Sequence, residues 1–182
     1  MKKILLFLVL FTVIPLQTLA GTYELGFNFG YNRSKYSATD YTFSRRWGIS
    51  GAYHFSEMSS IEFSYENVTE RTFIDSYQDT TFHDKVISAS WVQALLPRDM
   101  RIQPFVRGGV AQLNRDVTGS YAGGFSPPSR IDSLSGVIGA GFRFFLSEQF
   151  VFKGQYTSYL EGARIKSFGD NVATTIGLSY YF

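Results

Sequence analysis

The chain closes on Asn171-Val172-Ala173-Thr174-Thr175-Ile176-Gly177-Leu178-Ser179-Tyr180-Tyr181-Phe182. Side chains on a strand alternate between its two faces. Val172, Thr174, Ile176, Leu178, Tyr180 and Phe182 therefore share one face. Ala173, Thr175, Gly177, Ser179 and Tyr181 share the other. One side is greasy and ends in aromatics; the other is small and mostly polar. A strand with lipid on one side and a narrow interior on the other has this pattern.

The opposite end of the chain reads differently. Lys2 and Lys3 precede an apolar run from Ile4 to Leu16, and Thr18-Leu19-Ala20 supplies small residues at the minus-three and minus-one positions. This is the layout of a secretory signal peptide. The run is shorter than the ~20 residues of a membrane-spanning helix. Residues 1–20 are thus expected to be removed after Ala20, and residues 21–182 to form one barrel domain.

Composition narrows the function classes. The chain has 17 basic and 15 acidic residues among 182. Loss of Lys2 and Lys3 with the signal would balance them, so no excess of basic charge points to nucleic acid. There is no cysteine. Disulfides, thiolate metal sites, a cysteine nucleophile and a lipid anchor on an N-terminal cysteine are excluded. The 18 Phe and 12 Tyr, with 17 Gly, favour strands and close backbone approach.

Alternation recurs along the chain. Tyr23, Leu25, Phe27, Phe29 and Tyr31 oppose Glu24, Gly26, Asn28 and Gly30. Trp47, Ile49, Gly51, Tyr53 and Phe55 oppose Arg46, Gly48, Ser50, Ala52 and His54. Ile61, Phe63 and Tyr65 oppose Glu62, Ser64 and Glu66. Lys85 to Leu96 is ambiguous, because Ile87, Ala89, Trp91 and Leu95 face Val86, Val92 and Leu96. In Ile102 to Leu113, Arg107 decides the face, since a charge is tolerated inside far better than on lipid. Phe105 should then point inward as well. Leu134 to Leu146 and Phe150 to Leu160 alternate again, the latter with Phe150, Phe152, Tyr156 and Leu160 outward. With the final strand this makes eight.

Short connections follow Phe55, Leu96 and Leu146. Long polar ones follow Tyr31, Glu70, Leu113 and Leu160, and are read as loops over Asn32–Phe43, Arg71–Phe82, Asn114–Arg130 and Glu161–Asp170. Alternating short and long connections are the mark of an outer-membrane barrel. Lipid also forces a sheet to join its own edges, so the first strand should pair with the last. The expected fold is an all-β, eight-stranded antiparallel up-and-down transmembrane β-barrel. Eight strands leave an interior just wide enough for side chains.

The sequence resembles the OmpA/OmpX-type small outer-membrane barrels over roughly Thr22 to Phe182. The carriers are Leu178-Ser179-Tyr180-Tyr181-Phe182, the stretch from Pro104-Phe105-Val106 to Gly108-Gly109-Val110, and Gly136 to Phe144. The resemblance implies that Leu178, Tyr180 and Phe182 form the signal read by the barrel-assembly machinery. It also implies that a chain ending at Phe182 lacks the soluble peptidoglycan-binding domain of longer relatives.

Seven charges fall on the inner faces: Glu24, Arg46, Glu62, Glu66, Arg107, Arg143 and Lys153. They are expected to pair as a network that plugs the barrel, because an unpaired buried charge costs several kcal/mol. The competing reading is a pathway for water or ions. His54 and Ser56 stand two apart, as in the lipid A deacylase barrels, but at the wrong end and with no third group expected to orient the histidine. His83-Asp84 near the other rim has no matching serine. Two histidines without ligand partners make metal binding unexpected, and no cofactor motif is present.

Aromatics at Tyr36, Tyr41, Phe43, Phe73, Tyr77, Phe82, Tyr121, Phe125 and Phe168 fall on the expected loops. They suit packing on lipopolysaccharide, packing on each other, or contact with a surface partner. Outward aromatics near the strand ends read as interfacial girdles: Tyr23, Tyr53, Phe55, Phe150, Phe152, Tyr180 and Phe182 below, and Tyr31, Trp47, Tyr65 and Tyr156 above. The functional expectation is a monomeric structural or surface-interaction protein of a Gram-negative-type outer membrane, exported by the Sec route. Its expected partners are membrane lipids and lipopolysaccharide, with no nucleic acid. Three alternatives are a narrow pore for ions or small solutes, a lipid-modifying barrel enzyme, and a soluble barrel with a greasy ligand inside. The last would place aromatics inside and polar residues outside.

Overall fold

The structure, a computed structural model, describes residues 21–35, 41–74, 78–121, 124–161 and 172–182. The expected signal segment 1–20 and residues 36–40, 75–77, 122–123 and 162–171 lie outside them. Eight strands follow in chain order: β1 (Thr22–Lys35), β2 (Tyr41–His54), β3 (Ser59–Ile74), β4 (Gln78–Ala94), β5 (Ile102–Tyr121), β6 (Gly124–Phe145), β7 (Phe150–Glu161) and β8 (Val172–Tyr181). Each pairs antiparallel with the next, and β1 pairs with β8, so the sheet is a closed barrel.

Closure is staggered. Steps between opposite residues lead from Thr22 through His54, Ser60, Val92, Arg107, Gly139 and Thr157 to Ala173. Yet β1 closes on the far end of β8, with Glu24 opposite Tyr181. Such an offset tilts the strands against the barrel axis, by about 35–45° in barrels generally.

The outward face is apolar. Phe63 and Leu134 are 63% and 69% exposed, and Leu25, Phe27, Ile49, Ile87, Val110, Ile176 and Leu178 form the same belt. A continuous surface of this kind is incompatible with water and suited to lipid. The faces rule out the soluble barrel with a greasy lumen. Ambiguity in β4 resolves in the same frame: Ile87, Trp91 and Leu95 are exposed, while Val86, Val92 and Ala94 are buried inside. In β5, Phe105 and Arg107 both point inward and are buried. Leu160, outward by alternation, is only 4% exposed.

The short connections share one end of the barrel. Ser56 Oγ accepts hydrogen bonds from the Met58 and Ser59 amides at 3.3 and 3.0 Å. Ser147 Oγ accepts from the Gln149 and Phe150 amides at 3.3 and 3.0 Å. Both turns begin Ser-Glu, and in both the serine hydroxyl takes the place of a backbone acceptor. Between β4 and β5, Arg98 reaches back over the mouth. Its guanidinium lies 4.3 Å from the Tyr181 ring centroid, and its Nη2 donates to the Glu148 carbonyl at 2.9 Å. Aromatic pairs ring this end: Tyr23–Tyr53 at 5.2 Å, Phe55–Trp91 at 4.9 Å and Phe150–Tyr180 at 5.1 Å.

At the other end the strands run on well past the apolar belt, and most of what reads as loop is sheet. β1 and β2 stay paired to Lys35–Tyr41, β3 and β4 to Ile74–Gln78, and β5 and β6 to Tyr121–Gly124 with an irregularity between Val117 and Gly119. Beyond the bilayer both faces of a hairpin meet water, so the apolar alternation stops although the pairing does not. Thr69, Thr72, Thr80, Thr81 and Val117 retain the branched side chains that strands favour. Tyr41, Phe43, Phe73, Phe82, Tyr121 and Phe125 accordingly sit on strands, and Tyr41 stacks on Phe73 with centroids 5.4 Å apart. Tyr36, Tyr77 and Phe168 lie outside the described residues. On the outer surface of the β3–β4 hairpin, Arg71 donates to Asp79 through Nε at 2.8 Å and through Nη2. The Arg71 hydrogen bonds hold the Asp79 carboxyl below its usual range.

Inside, glycines make room for large neighbours. A Cβ on Gly141 would stand 2.6 Å from Phe105 Cζ and 2.4 Å from the Gly154 carbonyl oxygen. One contact is a core ring and the other is backbone, so neither can yield cheaply. Gly141→Ala should cost about 1–3 kcal/mol, the usual range for an overfilled interior. The loss would be read as a lower urea midpoint for the protein folded into lipid vesicles, with the fast-migrating unboiled gel band retained.

Candidate functional site: the barrel interior

The narrow lumen forces charged side chains from different strands together. Their order follows from the register. Glu24 on β1 lies beside Ala52, which lies beside Glu62 on β3. Arg107 on β5 stands next to Gly139, and Arg143 on β6 faces Lys153 on β7. Lys153 is 1% exposed and donates to Glu62, itself 1% exposed. The same ammonium lies 3.6 Å from Glu24 Oε1. Arg107 Nη1 is 3.2 Å from Glu62 Oε1, and Arg143 Nη2 is 3.6 Å from Glu24 Oε2. Two carboxylates thus hold three cations inside the barrel, toward its turn end.

Neutral groups join the cluster. Arg107 donates to Ser90 Oγ at 2.9 Å and to Gln155 Oε1 at 3.4 Å. Arg143 donates to Gln103 Oε1 at 3.2 Å. The buried Phe105 ring lies between two cations, 5.0 Å from the Arg143 guanidinium and 5.6 Å from the Lys153 ammonium. An aromatic face attracts a cation most when both are away from water.

A second group sits nearer the hairpin end. Arg46 Nη1 donates to Glu66 Oε2 at 2.5 Å and to the Tyr159 hydroxyl oxygen at 3.2 Å. Tyr159 in turn donates to Glu66 Oε2 at 3.0 Å. This triangle spans β2, β3 and β7. All seven charges singled out in the sequence therefore lie in two contact groups, Glu24, Glu62, Arg107, Arg143 and Lys153 in one, and Arg46 and Glu66 in the other.

Several interior partners escape the sequence reading. His54 Nε2 donates to Glu24 Oε2 at 2.8 Å, so a third group does orient this histidine, contrary to expectation. Its partner is nevertheless the lumen carboxylate, while the Ser56 hydroxyl is occupied in its own turn. Asp84 and Arg115 form a two-pronged pair at 2.7 and 2.8 Å. Asp84 carries on the inward register of Val86, and Arg115 that of Arg107 and Ala111, which is the signal that could have found them. His83, next to Asp84 in sequence, faces away and meets Thr69 Oγ1 at 3.3 Å. No group of three or more potential metal ligands occurs among the described residues.

Two cavities flank the central cluster. At the turn end a space of about 190 Å³ is lined by His54, Ser56, Arg98, Gln103 and Tyr181, among others. At the hairpin end a vestibule of about 490 Å³ opens above the Arg46 and Tyr159 pair.

A closed eight-stranded barrel with a lipid-facing belt and a packed, charged lumen is an outer-membrane architecture, and the sequence families agree. The outer membrane protein beta-barrel domain model matches residues 4–182. The chain belongs to that family. Comparison with curated proteins found no match. Among solved structures, the N-terminal β-barrel domain of Pseudomonas aeruginosa OprF is similar at 16% identity and a TM-score of 0.61, covering 91% of this chain and 100% of that one. Ail, the attachment invasion locus protein of Yersinia pestis, is similar at 16% identity and a TM-score of 0.54, covering 89% and 97%. OprG of Pseudomonas aeruginosa follows at 13% identity and 0.52, covering 90% and 96%. At these identities the likeness is one of fold.

Lys153 is the hub of the central cluster. Lys153→Met would leave Glu24 and Glu62 short of a partner in a dry interior, at a cost of about 3–5 kcal/mol. Adding Glu62→Gln should restore part of the loss. A double-mutant cycle on urea midpoints would check this, with additive losses as the contrary result.

Proposed function

We propose that this chain is a monomeric outer-membrane barrel with a structural and surface-interaction role and no catalytic activity. Its short turns face the periplasm, and its hairpins stand outside the cell. The observation that carries this reading is the central cluster. Glu24, Glu62, Arg107, Arg143 and Lys153 are each at least nineteen-twentieths buried and bridged to one another across the lumen. Buried pairs of this kind leave no open path, so the interior supports the wall instead of conducting. The part offered to a partner is then the hairpin end, where β5 and β6 rise highest. Lipids and lipopolysaccharide would meet the apolar belt and the outward residues above it.

Export fits the same picture. Residues 1–20 would direct Sec export and be removed after Ala20. Leu178, Tyr180 and Phe182 would be read by the barrel-assembly machinery. Leu178 and Phe182 are exposed on the lipid side, and Phe182 packs on Tyr180 with ring centroids 5.0 Å apart.

Purified protein in a planar bilayer should be electrically silent under applied voltage; stepwise openings would overturn the sealed-barrel reading in favour of a narrow pore. Deletion of Phe182 should lower the fraction of chain recovered as heat-modifiable barrel from outer membranes several-fold. Unchanged recovery would remove the terminal residue from the assembly signal.

A further inference from the structure

The vestibule at the hairpin end is a built cavity with a floor. Arg46 and Tyr159 close it below through their shared bonds to Glu66. Above that floor Val68, Val86, Leu113 and Ala173 form an apolar patch, set among polar side chains that include Thr42, Ser44 and Ser133. Higher still it is charged, with Glu70, Asp84 and Arg115. A molecule entering from this end would meet charge first, then a partly apolar wall, then a polar stop.

The charges are not balanced. Among the described residues the vestibule and its floor carry three carboxylates, Glu66, Glu70 and Asp84, against two guanidinium groups, Arg46 and Arg115. Glu66 is taken by Arg46 and Tyr159, and Asp84 by both prongs of Arg115. The Glu70 carboxylate makes no hydrogen bond with a described residue. It is half-buried on the cavity wall, where a charge is poorly hydrated and a counter-charge is correspondingly welcome. A concave site with surplus negative charge and low-dielectric walls concentrates cations.

We propose that this vestibule binds a small organic cation, an ammonium group on a short apolar body. The ammonium would lie against Glu70, and the alkyl part would rest on the patch of Val68, Val86, Leu113 and Ala173. The volume of about 490 Å³ is within the range of ordinary small-molecule sites. The paired arginines set the selectivity. Both also act on Glu70, and among the described residues they offset two of the three carboxylates, so one added positive charge is matched there and a second is not.

The test uses the whole mature chain in micelles, titrated with n-butylammonium chloride and followed by amide resonances. Saturable shifts should appear at residues near Glu70, Asp84 and Leu113 and not on the turn-end residues. Glu70→Gln should weaken binding at least tenfold while keeping the heat-modifiable gel band. Butyrate and 1-butanol, of similar shape but negative and neutral, should bind at least tenfold more weakly to the unaltered protein. No saturable shift with butylammonium, or equal shifts with butyrate or butanol, would overturn the assignment. The comparison of the three probes stands even if Glu70→Gln does not fold.

Discussion

The constraint beneath this molecule is the hydrogen bond that hydrocarbon cannot supply. Every backbone N–H and C=O within the bilayer has to find a partner in the chain itself. A sheet satisfies this only when its last strand returns to its first, and β8 does so against β1 from Glu24–Tyr181 to Phe29–Ile176. The other features follow. A closed cylinder of eight strands is narrow, so small residues such as Gly139, Gly141 and Gly177 alternate with Arg107, Phe105 and Asn28, which fill the space they leave. A staggered closure places residues distant in sequence side by side in the lumen. That is how Lys153 comes to stand between Glu24 and Glu62.

Charges in that lumen have a different standing from charges in a soluble core. A buried ion pair there is often matched in stability by an apolar substitute of the same size. In a barrel the outward face is already committed to grease. A charged inner face is then the clearest distinction between the two sides of each strand. A strand slipped by one residue would turn Glu62 or Arg107 into lipid. The two contact groups, one centred on Lys153 and one on Arg46, thus define the register as much as they hold it. Phe105, held between Arg143 and Lys153, shows how an aromatic ring can be accommodated in the charged part of the lumen.

How much of this is legible in the sequence depends on contrast between faces. Where one face is aliphatic or aromatic and the other small or charged, as in Tyr23–Tyr31 and Val172–Phe182, the strand and its orientation are plain. In β4 the contrast fails, because Val86 and Val92 fill the lumen while Ile87 and Trp91 face lipid. Above the bilayer the contrast vanishes altogether, since both faces are wet. The upper parts of β3 to β6 therefore look like loops although they stay paired, with one register shift between Val117 and Gly119. The charged lumen residues are readable one by one, but their partners are not. Which carboxylate meets which cation depends on the tilt, and the tilt is a property of closure that no single strand carries. His54 illustrates this: beside Ser56 in sequence, it joins Glu24 on β1 once the barrel closes.

The grip of Arg98 on Tyr181 adds a dimension of time. Arg98 belongs to a turn in the middle of the chain, and Tyr181 stands one residue from its end. The contact is absent from any partly curled sheet, however many of its strands are paired. It forms when the meander has come full circle and the last strand has slid to its final depth. The same side chain then ties the mouth to the β6–β7 turn through Glu148. The turn end is thus bridged only once the barrel is complete.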